Sequence, residues 1–416
     1  MDVFVSLLLA IGLLGGCSKD AYPKEQNKFL ALVKQGEIQW QTTKHTTAIT
    51  FKDSGDGNIV VPVKINGLGK TRYFVVDTGA PTVVDISLAK ELALRKIRDV
   101  TTGDSLSNVK STPFVKLKSI TIGDVTLKNI NVLAADLKRG FGKKIDGILG
   151  SSTLTHFGVL INFKKHKFII SDGVKKWVSR SDKAIPFQQH LRAGLGPIIK
   201  CRIGDAVFPA LIDTGASSFD IPLKAFQQTR AYKNHRYLQS IGQTSLGLHQ
   251  VDNKVSSYFG VMDAIILGES LVVKKYPVYA SKLTRDALLG RKFLRNFETV
   301  IDYPNHAVYF RPLGKKIHKE ILTFGVGMLK KGDNITVISL WRGSDAYNKG
   351  LRVGDKILSI NGKRSAGITQ SEIFKMLNRR KSMEIVFKNS TGKHHVKLYK
   401  QSMLNMLSKT LTRIGH

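Results

Sequence analysis

The chain has 416 residues, with Lys+Arg 65 against Asp+Glu 31, a formal net charge of +34, and 42% hydrophobic residues. That length holds two or three domains, and the composition is that of a globular chain with a sizeable core, not a disordered one. Two cysteines exclude a disulfide framework or a cysteine-rich zinc module, and the only long apolar run is N-terminal, which excludes a polytopic membrane protein.

Val3 to Leu14 is almost wholly apolar and too short to span a bilayer, so it reads as the core of a secretory signal. It ends in Leu14-Gly15-Gly16-Cys17, a string that resembles the lipobox of bacterial lipoproteins. The resemblance implies a signal over 1–17, a lipid anchor on Cys17 as the first mature residue, and an exported envelope protein facing the periplasm, with Ser18 pointing to the outer membrane. The start departs from that pattern, since it carries Asp2 and no Lys or Arg; an ordinary signal peptide or a different start site is the alternative. Lipidation of Cys17 would leave Cys201 with no intramolecular disulfide partner.

Short runs of Val, Ile, Phe and Tyr then alternate with Gly, Asn and Asp turns, the pattern of an all-β region. Ile59-Val60-Val61-Pro62-Val63 precedes Asn66-Gly67, Tyr73-Phe74-Val75-Val76 runs into Asp77-Thr78-Gly79-Ala80, and Ile120-Thr121-Ile122 precedes Gly123-Asp124. After Gly150 the run Ser152–Phe157 predicts one short helix. Residues 173–183 are polar and aperiodic and read as a linker.

Beyond that linker the series repeats. Phe208-Pro209-Ala210-Leu211-Ile212 leads to Asp213-Thr214-Gly215-Ala216, an offset of 136 from the first copy. Gly150/Gly290, Leu154/Leu294, Phe157/Phe297, Ile161/Ile301 and His166/His306 pair at a constant offset of 140. Between these blocks Ile122-Gly123-Asp124 matches Leu267-Gly268-Glu269. Ordered blocks of this kind define two homologous lobes, about 45–172 and 184–312, with the first domain taken as 18–172.

A carboxylate at the end of a buried strand, on a Thr-Gly turn, is an unusual object. Glycine permits close approach and offers an N–H, and the threonine hydroxyl can bond across to another segment. Two such turns brought face to face would place their carboxylates so close that both cannot ionise together. The ionised member would take a proton from water while the protonated member polarises a carbonyl, which is acid–base hydrolysis without a covalent intermediate.

Asp77-Thr78-Gly79-Ala80 followed by Asp146-Gly147-Ile148-Leu149-Gly150 resembles a retropepsin-type aspartic protease lobe, and Asp213-Thr214-Gly215-Ala216 followed by Leu288-Leu289-Gly290-Arg291 resembles it equally. The resemblance covers both lobes and implies two acid-protease β-barrels. Asp77 and Asp213 correspond to the catalytic pair. Thr78, Gly79, Thr214 and Gly215 shape the loops, and Ile148-Leu149-Gly150 and Leu288-Leu289-Gly290 are the strands that thread beneath and support them. Ile265-Ile266-Leu267-Gly268 also reads as a supporting strand, but it aligns with Gly123 and is assigned to a mid-lobe hairpin.

Pepsin-like enzymes place Ser or Thr where this chain has Ala80 and Ala216, so the pair has one fewer donor and should titrate higher. Ala80, Pro81, Ala216 and Ser217 are expected to face substrate, and the Pro81/Ser217 difference makes the two halves of the cleft unequal. Flap hairpins are expected at Thr102-Gly103-Asp104-Ser105 and Ile241-Gly242-Gln243-Thr244, with Gly103 and Gly242 over the substrate. His166 and His306 fall in turns and read as structural. No zinc or serine-hydrolase signature occurs, so no metal and no cofactor is expected. With both aspartates in one chain, the enzyme would act as a monomer.

From Pro312 onward the net charge is +15. Gly343-Ser344-Asp345-Ala346, Gly350-Leu351-Arg352-Val353-Gly354-Asp355 and Ile357-Leu358-Ser359-Ile360-Asn361-Gly362 resemble a bacterial PDZ domain over 318–402. The resemblance implies a carboxylate-binding loop at Gly325-Val326-Gly327-Met328, a groove helix over 369–377, and binding of peptide C-termini; docking of this module onto the lobes is the competing reading. Residues 403–416 are too short for a domain. An exported chain meets little nucleic acid, and no zinc-finger or RNP-like motif is present, so the basic excess is assigned to solvated surface.

Two functions follow. The first is an aspartic endopeptidase acting on protein or peptide substrates, with a PDZ module that recruits or regulates. The second is an inactive protease-fold peptide-binding adaptor of the envelope.

Overall fold

The computed structural model describes residues 4–5, 10–11, 31–33, 35–53, 57–103, 109–141, 144–189, 194–242, 245–246 and 256–414. The chain is mainly β, with two closed six-stranded β-barrels followed by a smaller C-terminal β module. The first barrel uses β1 (Ile59–Ile65), β2 (Thr71–Asp77) and β3 (Val83–Asp85). The hairpin arm β4 (Lys96–Gly103) follows, then β5 (Val109–Ile122), β6 (Val125–Ala135) and β7 (Gly147–Gly150). β1 pairs β2, β2 pairs β7, β7 pairs β3, β3 pairs β6, β6 pairs β5, and β5 returns to β1. Along β1, Val61, Val63 and Ile65 are buried while Pro62 and Lys64 are exposed, the period of two that a one-faced strand requires. β7 is buried at all four positions because it threads between β2 and β3, and its residues are accordingly apolar or glycine without alternation.

The second barrel repeats this plan. Its strands are β8 (Pro197–Ile203), β9 (Ala206–Ile212), β10 (Phe219–Pro222), the arm β11 (Tyr237–Gly242), β12 (Ser257–Leu267), β13 (Leu271–Ser281) and β14 (Ala287–Leu289). The circuit runs β8, β9, β14, β10, β13, β12 and back to β8, with β14 parallel to β9 and antiparallel to β10. Leu267 ends β12 and a left-handed Gly268-Glu269 turn (φ +53° and +63°) leads to Leu271, so the Ile265–Gly268 string forms a hairpin.

A six-stranded sheet joins the lobes. Gly158–Asn162 pairs antiparallel with Phe297–Asp302, and Leu160 lies opposite Val300. These two residues occupy equivalent places at the offset of 140, so the pseudo-twofold axis passes between them. Thr46–Thr50 and Lys167–Ser171 extend the sheet on one side, and Ala307–Pro312 and Ile185–Pro186 on the other. His166 and His306 occupy matching turns with φ +50° and +51°, and their carbonyls accept from Phe51 and Phe187. The connector 173–183 contains no strand, yet it is anchored by its own Val174, which is buried against Leu160 and Val300.

The C-terminal module has its own core, which includes Phe324, Val326, Met328, Ile335, Val337, Ile357, Ile373 and Phe387. Its strands are β15 (Val326–Lys331), β16 (Asn334–Trp341), β17 (Lys356–Ile360), β18 (Ser382–Asn389) and β19 (Gly392–Tyr399). The module does not hang free. Ser240–Gly242 of β11 pairs antiparallel with Trp341–Ser339 of β16, so one sheet runs from the second lobe into the module. The short helices α1 (Ser151–Leu154) and α2 (Arg291–Leu294) follow the late glycines, α3 (Gln370–Arg379) belongs to the module, and α4 (Met403–Ile414) ends the chain. Met403, Met406 and Leu407 of α4 pack with Leu238, Phe259 and Tyr279 of the second lobe and with Trp341 of the module. The segment that looked too short for a domain is therefore a clasp between two of them. α3 also packs against the one-turn helix Lys138–Phe141 of the first lobe. Among the described residues, no helix is long and apolar enough to cross a membrane.

Candidate active site

β2 ends at Asp77, and Asp213 directly follows β9. The two loops that continue from them are bonded crosswise. Thr78 Oγ1 donates to the Ile212 carbonyl (2.6 Å) and accepts from Thr214 N–H (3.0 Å). Thr214 Oγ1 donates to the Val76 carbonyl (2.9 Å) and accepts from Thr78 N–H (3.0 Å). Threonine suits this place because its hydroxyl gives and takes one bond each, and both residues are fully buried. The next residue must be glycine on steric grounds. A Cβ on Gly79 would lie 2.5 Å from Asp213 Cγ, and one on Gly215 would lie 2.2 Å from Asp77 Oδ2. Each carboxyl therefore rests on the other loop's glycine.

Asp213 Oδ1 accepts from the amides of Gly215 and Ala216, both at 2.8 Å. Asp77 Oδ1 accepts from Gly79 N–H (2.9 Å), its buried Oδ2 accepts from no donor among the described residues, and the carboxyl shares a hydrogen bond with that of Asp213 when it carries the proton. Burial raises the pKa of both carboxyls. Asp77 is held well above the usual carboxylate range, by burial first and then by the charge of Asp213, with the Gly79 amide opposing. For Asp213, burial is countered by the Ala216 amide, the Arg291 guanidinium, the hydrogen bond from Asp77 and the Gly215 amide. The arrangement favours a proton on Asp77 and the negative charge on Asp213.

The late strands hold the loops from below. Leu149 and Gly150 of β7 lie beside Val76 and Asp77, and Leu288 and Leu289 of β14 beside Leu211 and Ile212. A Cβ on Gly150 would come within 2.3 Å of the Ala80 carbonyl, and one on Gly290 within 2.3 Å of the Ser218 carbonyl. Ile148 joins a buried cluster with Ala80, Val83 and Phe114, and Leu288 one with Ala216 and Leu211.

The symmetry breaks one residue further on. In the first lobe Ser151 Oγ donates to the Thr78 carbonyl and meets Tyr303 Oη, both at 2.7 Å. In the second lobe the same place holds buried Arg291, whose Nη1 donates to the carbonyls of Thr214 (2.7 Å) and Gly215 (2.6 Å). A third carboxyl is close by. Asp220 on β10 accepts from Ser218 Oγ (2.7 Å), and burial, with the charge of Asp213 adding, pushes its pKa up to about 7. By strand register Asp220 matches Val83, since Val83 lies opposite Leu133 and Asp220 opposite Tyr279. Neither Arg291 nor Asp220 was assigned a role from sequence. The one available signal was the failure of the repeat at those two places.

Pro81 is buried, and Gly194 lies so close that a Cβ there would stand 2.5 Å from the Pro81 nitrogen. Ser217 is half-buried, and its Oγ has no hydrogen-bond partner among the described residues. Gly103 ends β4, paired with Val109 of β5, while residues 104 and 105 lie outside the described set, as do 243 and 244. Gly242, expected over the cleft, is paired with Ser339 at φ +81°, and a Cβ would stand 2.3 Å from the Ile338 carbonyl. An edge strand with free backbone groups has found a partner there, in the PDZ sheet. Cys17 lies outside the described residues, and Cys201 is buried with no disulfide. Among the described residues, no group of three His, Cys, Asp or Glu could hold a metal.

In the C-terminal module, Gly325 takes φ +75° against Ser344, its amide donates to Thr323 Oγ1 (2.9 Å), and Val326, Gly327 and Met328 open strand β15. β15 pairs with β16 on one side, and α3 lines the other.

A comparison with curated proteins found no match. Residues 61–153 match the family model of aspartyl proteases, and residues 316–387 match that of PDZ domains. The first match spans β1 to α1 and includes Asp77 and Gly150; the second spans β15 to most of β18. The chain thus carries an aspartyl-protease domain and, C-terminal to it, a PDZ domain.

Proposed function

We propose that the chain is an aspartic endopeptidase. Asp213, ionised, takes a proton from the attacking water. Asp77, protonated, gives its proton to the oxygen of the scissile carbonyl, and the resulting tetrahedral species collapses as a proton passes to the departing amine. The observation that carries this reading is the crossed threonine pair, which seats each carboxyl on the opposite glycine in a buried setting. Ser217, half-buried beside the pair, would meet the substrate backbone, whereas Ala80, Pro81 and Ala216 are buried and shape the loops from behind. The PDZ domain binds the ends of peptides and brings them to the second lobe. The string before Cys17 supports export to the cell envelope and a lipid anchor, and loss of acyl labelling in Cys17→Ala would test that anchor. The function itself is tested by digestion of a peptide library by the purified protein with and without pepstatin. Pepstatin-sensitive cleavage is expected; no cleavage from about pH 3 to 8 would contradict the proposal.

A further inference from the structure

The antiparallel pairing of β15 with β16 turns the backbone groups of alternate β15 residues outward, towards α3. Met328 and Lys330 are two such residues, and neither group is open. The side-chain amide of Gln370, the first residue of α3, meets both: its Oε1 accepts from Lys330 N–H (2.8 Å) and its Nε2 donates to the Met328 carbonyl (3.2 Å). An acceptor for the Lys330 N–H and a donor for the Met328 carbonyl are what an added antiparallel strand would supply there, from the C=O of one residue and the N–H of the residue two places further along. We propose that Gln370 closes the groove in cis, as a removable stand-in for two backbone bonds of an added strand, and that an extended peptide tail binds by displacing it. This rests on the reading of the module as a peptide receptor.

The surroundings say which part must move. The start of α3 is fixed by a capping box, in which Thr369 N–H donates to Glu372 Oε2 (2.7 Å) and Glu372 N–H to Thr369 Oγ1 (3.2 Å). Lys363 also bonds Glu372 (2.8 Å). Lys330 Nζ reaches across to the Ser365 and Ala366 carbonyls, bracing the strand at the groove mouth. The helix is thus anchored, and rotation of the Gln370 side chain is the cheap way to open the edge. The net charge of +15 from Pro312 to the C-terminus favours a tail that ends in a free carboxylate. The same ladder continues from β15 through β16 to β11 of the second lobe, so a strand added at β15 would extend a sheet that reaches the lobe holding Asp213.

The test uses the full chain carrying Asp213→Asn, so that the probe is not cut. The probe is a fluorescein-labelled pool of decapeptides with a free C-terminal carboxylate and an aliphatic last residue, followed by anisotropy. Because two hydrogen bonds to Gln370 must be given up on binding, Gln370→Ala should bind about tenfold more tightly than the parent. Hydrogen exchange supplies the second readout: the Lys330 amide should be protected in the peptide-free parent and exposed in Gln370→Ala. Equal or weaker binding by Gln370→Ala, or a Lys330 amide that exchanges equally fast in both, overturns the gate and leaves the receptor reading standing. A flat anisotropy trace for parent and variant alike overturns the receptor reading, and the gate with it.

Discussion

Replacing Thr78 by Val keeps the shape of the side chain and removes the hydroxyl. Two bonds vanish together, one to the Ile212 carbonyl and one from the Thr214 amide, and both partners are fully buried. An unsatisfied buried polar group costs about 1–3 kcal/mol, so the change should cost about 2–6 kcal/mol. For domains of this size 1 kcal/mol corresponds to roughly 2–4 °C in Tm, which sets a fall of at least about 4 °C. Thr78→Ser keeps both bonds and loses one methyl group, worth about 0.8 kcal/mol, so it should sit near the parent. Differential scanning calorimetry of the three proteins, with cleavage rates alongside, measures this directly. Cleavage should fall with Val and survive with Ser, because the hydroxyl fixes the distance between the two aspartate loops. A Val variant that melts within about 2 °C of the parent, or a Ser variant no better than Val, would refute the claim that the crossed threonines hold the lobes in register.

Arg291→Gln removes a positive charge that holds both carboxyls down, so the acid limb of kcat/KM should move up by about 1 pH unit while Arg291→Lys stays close to the parent; an unmoved limb would remove Arg291 from the account. Gly215→Ala places a methyl group 2.2 Å from Asp77 Oδ2 and should abolish cleavage while the far-UV spectrum stays that of the parent; retained cleavage would mean the carboxyl does not rest there. Asp220 has a folded pKa of about 7, above the usual carboxyl value, so its contribution to stability is present below about pH 4 and lost as pH rises through about 7. Asp220→Asn should therefore raise the urea midpoint at about pH 8 and leave it nearly unchanged at about pH 4; a gain at the lower pH alone would reverse the sign and contradict the burial of that carboxyl.

Much of this site is written locally. Asp-Thr-Gly after an apolar run, with a late Leu-Gly strand, is a short-range pattern, and its recurrence at 213–216 and 288–290 gave both lobes and the loop that each strand supports. Val61, Val63 and Ile65 likewise announce their barrel by alternation alone. What could not be read depends on pairing between distant edges. Nothing in Ser240-Ile241-Gly242 says that its partner is Ser339–Trp341, because backbone groups pair without regard to side-chain identity. The clasp α4 is not legible in the sequence because three apolar residues, Met403, Met406 and Leu407, acquire meaning only against Trp341 and the second lobe. Arg291 and Asp220 were hidden for the opposite reason. The repeat argument weights what the lobes share, and these two residues are where the lobes differ.

The division of labour between Asp77 and Asp213 carries the whole account. Its most direct test is to make Asp77→Asn and Asp213→Asn separately and to follow cleavage of the peptide pool by mass spectrometry, with circular dichroism confirming the fold of each. Both variants should lose cleavage while the PDZ domain still binds peptide tails. Cleavage that persists in either one would contradict the paired mechanism.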